Sequence, residues 1–165
     1  MPMPQSLAKV LVHVIFSTKN RHPFIQRAVR PTLHAYLAGT LANLQSPSLQ
    51  VGGTADHVHT LFLLARTHAL GHVVEESKKS SSKWMKHHGV SAFAWQAGYG
   101  AFSVSESQAQ RVVRYIAAQE AQHRTVTFQE EFRSFLAPYA VTYDERYVWD
   151  WASNALTGLH LGNVG

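Results

Sequence analysis

The stretch ADHVHTLFLL, residues 55–64, determines how the rest of the chain is interpreted. Its apolar second half predicts a β-strand, and on a strand residues i and i+2 point to the same face. His57 and His59 would therefore present their imidazoles side by side, with Val58 turned to the other face. Two neutral imidazoles on one rigid face are two ligands of a divalent-metal site, and a third ligand must come from elsewhere in the chain.

Composition limits what kind of protein this is. The chain has 165 residues, a mass of 18.4 kDa and 45% hydrophobic residues, which predicts one domain over 1–165, with its core at about 8–125 and a C-terminal extension at about 126–160. It has no cysteine, which excludes disulfides and thiolate chemistry and fits a reducing compartment. No apolar run approaches the ~20 residues of a membrane span, so we expect a cytoplasmic protein. The net charge of +5 is compatible with a polyanionic partner.

Hydrophobic periodicity predicts seven main elements. They are a strand at 9–18, a helix at 26–43, strands at 49–53 and 57–64, a helix at 70–88, a strand at 99–104 and a helix at 108–123. A short amphipathic helix follows at about 128–136. This order of elements is that of an α+β, ferredoxin-like (split βαβ, RRM-like) antiparallel sheet with helices packed on it, followed by a C-terminal helical extension.

Several residues in these elements have more than one interpretation. His13, inside the first strand, is expected to be a hydrogen-bonded core histidine and not a ligand. Lys19 and Arg21 follow that strand and suit either phosphate contacts or a solvated turn. The lysine- and serine-rich helix that carries Trp84 presents either a solvated face or a surface that follows a phosphate backbone.

Tyr115 and Gln119 lie four residues apart in the last predicted helix and therefore share a face. A phenol and a carboxamide oxygen could then project together toward His57 and His59. Tyrosine is a weak nucleophile at its usual pKa of ~10, and a metal that polarises the attacked phosphate would compensate. In that arrangement His57, His59 and Gln119 would hold a metal, with Tyr115 as nucleophile. The alternative is that the His-x-His pair is structural and that the Tyr–Gln pair is incidental on a helix surface.

The chain resembles the single-tyrosine HUH transposases of the smallest bacterial insertion sequences, including their repeat-associated relatives. The resemblance covers about residues 8–150. The segments that carry it are VHVIFSTK (12–19), DHVH (56–59), SSSKW (80–84), GYGAFSVS (98–105), Tyr115-Ile116 followed by Gln119, TFQEE (127–131) and DERY (144–147).

The resemblance implies a specific activity. His57, His59 and Gln119 would bind Mg²⁺ or Mn²⁺, and Tyr115 would attack single-stranded DNA at hairpin ends, forming a 5′-phosphotyrosine link and later rejoining the strand. Members of the family are homodimers in which the tyrosine helix can complete the partner's active site. The family also implies a bacterial cytoplasmic protein of a mobile element. The basic residues expected at the DNA are Lys19, Arg21, Lys83 and Arg114.

Two other functions remain open from the residues. One is a non-catalytic, domesticated relative that binds DNA hairpins without cleaving them. The other is a hydrolytic metalloenzyme in which water attacks in place of Tyr115. It ranks lower because no acidic residue other than Asp56 is expected near the site to act as base.

Overall fold

The computed structural model describes residues 4–122, 130, 131, 133, 134 and 138. Its strands are β1 (Leu11–Ser17), β2 (Ser48–Gly53), β3 (His57–Leu63) and β4 (Gly100–Val104), and its helices are α1 (Arg30–Asn43), α2 (Leu70–His87), α3 (Ala109–Ala117) and α4 (Gln119–Gln122). Within these residues no helix is both long and apolar enough to span a membrane.

The four strands form one antiparallel sheet in the order β2-β3-β1-β4. This order, with one helix between β1 and β2 and another between β3 and β4, confirms the predicted ferredoxin-like α+β fold. Strands β2 and β3 pair as an antiparallel hairpin, with Gly52 paired to His59. The C-terminal extension lies largely outside the described residues.

The side chains of β1 and β3 alternate between the two faces of the sheet. On β1, Val12, Val14 and Phe16 pack into a large apolar core, whereas Leu11 belongs to a smaller cluster on the other face. On β3, Val58 and Phe62 join the large core, and Leu61 joins the small cluster. His57 and His59 have the same parity as Leu61, so they lie on the face of the smaller cluster, as the period of two predicts.

Helices α1 and α2 cover the large core. Leu33, Leu37 and Leu41 recur every four residues along α1 and are at most 2% exposed. Pro31 lies in the first turn of α1, where its missing N–H costs no helical hydrogen bond. The helix therefore begins at Arg30, later than the predicted residue 26, and turns precede it.

Helix α3 covers the smaller cluster and approaches the sheet closely. A Cβ built on Gly52 of β2 would lie 2.4 Å from the carbonyl oxygen of Ile116, so glycine is needed for this contact. The predicted helix over 108–123 is interrupted at Ala118, whose φ of −96° and ψ of 15° leave the helical region. Gln119 then begins the short helix α4.

Candidate active site

His57 and His59 are both fully buried, and each has its Nδ1 atom held by a neighbour. His57 Nδ1 lies 2.7 Å from Asp56 Oδ1 and 2.9 Å from the hydroxyl of Thr54. His59 Nδ1 lies 2.9 Å from Nε2 of His13. With Nδ1 engaged in this way, each ring turns its Nε2 atom toward the space beneath α3 and α4.

His13 is a buried, hydrogen-bonded histidine, as predicted from its position in β1. Burial, with a smaller contribution from His59, lowers the pKa of His13 to about 3, so its ring is neutral at physiological pH. A neutral ring whose Nε2 is unprotonated accepts a hydrogen bond from Nδ1–H of His59. That tautomer leaves Nε2 of His59 free of a proton and able to act as a ligand.

Asp56 supports His57 from the other side. Burial alone would raise the pKa of Asp56, but its hydrogen bond with His57 and the nearby positive charge of Arg21 lower it to about 2. Both Nε and Nη2 of Arg21 lie 3.1 Å from Oδ2 of Asp56. The sequence predicts that Arg21 contacts DNA. In the structure its guanidinium binds the carboxylate of Asp56, which orients His57.

Tyr115 and Gln119 both face the two histidines, despite the break between α3 and α4. Gln119 is 1% exposed, and its Oε1 lies 3.2 Å from Nε2 of His57. The ring centroid of Tyr115 lies 5.7 Å from that of His59, in an edge-to-face arrangement. The residues that the sequence predicted for the site are thus brought together within one chain.

Glu131 is a further polar group in the site, and sequence reasoning missed it. Its carboxylate is 3% exposed, and its Oε1 lies 2.8 Å from Nε2 of His59. The expectation that no acidic residue other than Asp56 lies near the site is therefore wrong. The acidic pair in TFQEE was the available signal, but no local pattern connects this segment with a histidine on a distant strand.

Glu131 also affects the nucleophile. Burial raises the pKa of Tyr115 above its usual range, and a hydrogen bond and the negative charge of Glu131 raise it further. Gln119 acts in the opposite direction by a hydrogen bond of its own. These effects favour the protonated phenol, and a positive charge near Glu131 would favour its deprotonation.

The donor atoms of the site fit a divalent cation. One ligand atom each from His57, His59 and Glu131 lie within 4.8 Å of one another. When both Nδ1 atoms of the neutral rings donate outward, as the bond of His57 to Asp56 requires and that of His59 to His13 permits, the Nε2 lone pairs face the oxygens of Gln119 and Glu131. Lone pairs that point at one another are stabilised by a cation between them, and a set of two imidazoles with carboxylate and amide oxygens suits ions such as Mn²⁺.

The other basic residues predicted at the DNA lie on different surfaces. Arg114 is exposed on α3, next to Tyr115 in the chain, and Lys83 is exposed on α2, on the opposite side of the sheet. Lys19 is exposed after β1, where its backbone N–H bonds the carbonyl of Ala94. Arg114 alone among the three is on the helix of the candidate nucleophile.

Comparisons with known proteins agree with this arrangement of elements. A family model described as "Transposase IS200 like" matches residues 6–119. A crystal structure of a candidate transposase from Deinococcus radiodurans R1 is similar, with a TM-score of 0.57, 22% identity, and coverage of 72% of this chain and 98% of that one. A structure of a REP-associated tyrosine transposase bound to a REP hairpin has a TM-score of 0.55, 15% identity, and coverage of 87% and 92%. At these identities the structures show the shared fold. A search of curated proteins gives no significant match.

Proposed function

Because the chain belongs to the family of IS200-like transposases, we propose that it cleaves and rejoins single-stranded DNA at hairpin ends through a covalent link to Tyr115. The observation that carries the proposal is the convergence of four groups in one buried site. These are the ring of Tyr115 and the ligand atoms of His57, His59 and Gln119. We propose hairpin ends as the target because a similar transposase was solved bound to a REP hairpin.

In the proposed step, the phenol oxygen of Tyr115 attacks a backbone phosphorus. A bond forms between that oxygen and phosphorus, and the bond from phosphorus to the 3′-oxygen breaks. The leaving 3′-oxygen takes a proton and becomes a 3′-hydroxyl, and the carboxylate of Glu131, which acts on the pKa of the phenol, is the proposed acceptor of the phenol proton. Rejoining is the same exchange in reverse, with a 3′-hydroxyl attacking the phosphotyrosine.

His57, His59, Gln119 and Glu131 would hold the divalent cation, Mg²⁺ or Mn²⁺. Such a cation stabilises the charge that develops on the attacked phosphate, and it offsets the negative charge of Glu131. Asp56 and His13 keep the two imidazoles oriented, each through the Nδ1 atom. Arg114, exposed and next to Tyr115 in the chain, is a proposed contact to the flanking phosphates.

The test uses an oligonucleotide that carries the hairpin from the DNA flanking the gene and is labelled at its 3′ end, since the 5′-phosphate stays on the protein. With Mn²⁺, we expect a labelled protein band that survives denaturant. Tyr115→Phe should lower its yield by more than about a thousandfold, because the nucleophile is lost. Tyr36→Phe, a matched tyrosine change on α1, should leave it unchanged, and EDTA should abolish it. An undiminished adduct in Tyr115→Phe would refute the proposal.

Glu131 supports a second candidate, hydrolysis by water. A buried carboxylate beside the candidate ligands is a group that could activate a water molecule. The same gel distinguishes the two reactions, because hydrolysis shortens the oligonucleotide without labelling the protein. Cleavage that persists in Tyr115→Phe, with no adduct in the parent protein, would favour hydrolysis. Binding without any cleavage would favour the non-catalytic hairpin binder.

We further propose that the chain acts as one domain and as a homodimer in which each Tyr115 works with the histidines of its own chain. The distance of 5.7 Å between the rings of Tyr115 and His59 in one chain supports this choice. Mixing Tyr115→Phe with His57→Ala protein should then give no adduct, since neither chain has a complete site. Adduct formation restored to about a quarter of the parent level would instead indicate sites shared between subunits, because about half of the dimers are then mixed and each mixed dimer has one complete site of two.

A further inference from the structure

One buried arginine lies between the two segments that carry His57 and Gln119. Arg30 is the first residue of α1 and is only 8% exposed, which is unusual for an arginine. A buried guanidinium needs partners for its N–H groups, because an unpaired buried charge costs free energy. The partners of Arg30 therefore indicate what its side chain holds together.

One edge of the guanidinium binds the segment before α1. Nε and Nη2 of Arg30 both donate to the carbonyl oxygen of Ile25, at 3.3 and 3.0 Å. Ile25 is fully buried, and its own N–H donates to the carbonyl oxygen of Ala55 at 2.9 Å. Ala55 directly precedes Asp56 and His57 in the chain. Arg30 is thus connected, through one buried residue, to the segment that enters β3.

The remaining terminal nitrogen of the guanidinium binds α4. Nη1 of Arg30 donates to Oε1 of Glu120, and the two side chains form an ion pair. Glu120 directly follows Gln119, and successive residues of a helix point about 100° apart. Gln119 can therefore face His57, with its Oε1 at 3.2 Å from Nε2, while Glu120 faces α1.

Helix α4 depends on contacts with other elements to keep its place. It has four residues, and a helix of that length is not stable by itself in water. The break at Ala118 also means that α4 does not continue α3. Contacts with β2 place α4 against the sheet, and the ion pair with Arg30 holds it from the side of α1.

We infer that Arg30 and Glu120 are positioning residues, which fix the amide of Gln119 relative to His57 and so set the affinity of the site for a divalent cation. The inference rests on the proposed function, since it takes Gln119 as a ligand. Gln119 and His57 are 62 residues apart in the sequence, so only tertiary contacts can fix their separation. The guanidinium of Arg30 supplies such a contact by joining the entry to β3 with the start of α4.

The test measures Mn²⁺ binding by calorimetry in the absence of DNA, so that strand cleavage does not enter. Glu120→Ala should weaken Mn²⁺ binding by about tenfold, the lower end of the range for groups that orient a ligand. The side chain of Glu120 is 52% exposed, so we expect this variant to fold. Glu120→Gln keeps an oxygen that accepts from Nη1 of Arg30, and its Mn²⁺ affinity should stay within about threefold of wild type.

A double variant shows whether Glu120 acts through Gln119. Gln119→Ala removes the amide oxygen and should weaken Mn²⁺ binding by at least as much as Glu120→Ala does. In the Gln119→Ala protein, the further change Glu120→Ala should alter the affinity by less than about twofold, because residues that act as one unit are not additive. Independent effects would instead multiply, to a loss of about a hundredfold or more.

Two further variants test the arginine and control for charge. Arg30→Lys keeps the positive charge but replaces a planar fork by one ammonium group, which cannot bind Ile25 and Glu120 in the same geometry. It should weaken Mn²⁺ binding as Glu120→Ala does. Glu106→Ala is the matched control, because it also removes a carboxylate from an ion pair, that with Lys9, and its affinity should equal that of wild type. Urea titration of every variant verifies that folded protein is compared.

Different results would overturn different parts of this account. Unchanged Mn²⁺ affinity in Glu120→Ala, equal losses in Glu120→Gln and Glu120→Ala, or multiplied losses in the double variant would refute the positioning role and leave the proposed function intact. Unchanged affinity in Gln119→Ala would refute Gln119 as a ligand, and with it both the inference and that part of the proposed function. Adduct formation by wild-type protein remains a separate test of the chemistry at Tyr115.

Discussion

The two faces of the sheet are built from the same strands but have opposite chemistry. The face under α1 and α2 is a continuous apolar core whose largest members, such as Leu37, Phe62 and Met85, are almost completely buried. The face under α3 and α4 buries only a small apolar cluster, and beside it lie His13, His57, His59, Gln119 and Glu131.

This difference follows from the two-residue period of a strand, which turns alternate side chains to opposite faces of the sheet. Each strand contributes alternate residues to stability and to the site, so a residue on one face is separated from the other face by the backbone of the sheet. Buried polar groups cost free energy unless they are bonded, and the apolar face supplies the stability that offsets them. Substitutions on the apolar face should therefore lower the free energy of unfolding, and substitutions on the polar face should weaken metal binding.

The largest effect on stability is expected on the apolar face. Leu37→Ala removes a fully buried side chain and should lower the free energy of unfolding by about 2–5 kcal/mol, measured by urea titration. The adduct yield per folded molecule, measured well below the melting temperature, should not change. The matched control is Leu49→Ala at a half-exposed leucine, expected within about 0.5 kcal/mol of the parent. Loss of adduct in folded Leu37→Ala protein would contradict the separation of the faces.

The next effect is expected on the polar face, at His13. His13→Leu removes the acceptor for Nδ1–H of His59 and should weaken Mn²⁺ binding by about 10- to 100-fold in calorimetry. His13→Gln can supply an acceptor oxygen and should retain most of the affinity. His87→Leu, at an exposed histidine on α2, serves as the control. Equal Mn²⁺ affinity in His13→Leu and the parent would remove His13 from the site.

The smallest effect is expected where α1 meets α4. His34 lies near Arg30, which forms an ion pair with Glu120, and burial followed by the charge of Arg30 lowers the pKa of His34 to about 4. The unfolded chain takes up this proton near pH 6.5, so acidification below that pH favours unfolding until the folded pKa is reached. From pH 7 to 5.5 the parent should lose up to about 1.4 kcal/mol through this group. His34→Gln should remove that part of the loss in urea titrations. An identical pH dependence in both proteins would show that His34 does not contribute.

The sequence predicted the parts of the fold that depend on local periodicity. The shared face of His57 and His59 follows from the strand period, and the ferredoxin-like topology follows from the order of elements. Tyr115 and Gln119 were paired by helical spacing. The break at Ala118 had no local signal, since alanine is the strongest helix former. The break nevertheless leaves both side chains facing the histidines.

The contacts that the sequence could not predict are those between distant segments. The bond from His13 to His59 depends on the register of β1 against β3, which pairs Ile15 with His59. Two further contacts join distant segments of the chain. Arg21 pairs with Asp56, and Glu131 approaches His59. Tertiary packing determines these partners, and neither composition nor spacing encodes it.

The most direct measurement of the central proposal is mass spectrometry of the covalent adduct. Wild-type protein is incubated with the hairpin oligonucleotide and Mn²⁺, digested with nuclease and protease, and searched for peptides that carry a nucleotide. We predict one modified peptide, with a 5′-phosphate nucleotide on the phenol oxygen of Tyr115, and a new 3′-hydroxyl on the released strand. A nucleotide on any other residue, or cleaved DNA without a modified peptide, would contradict the assignment of Tyr115 as nucleophile.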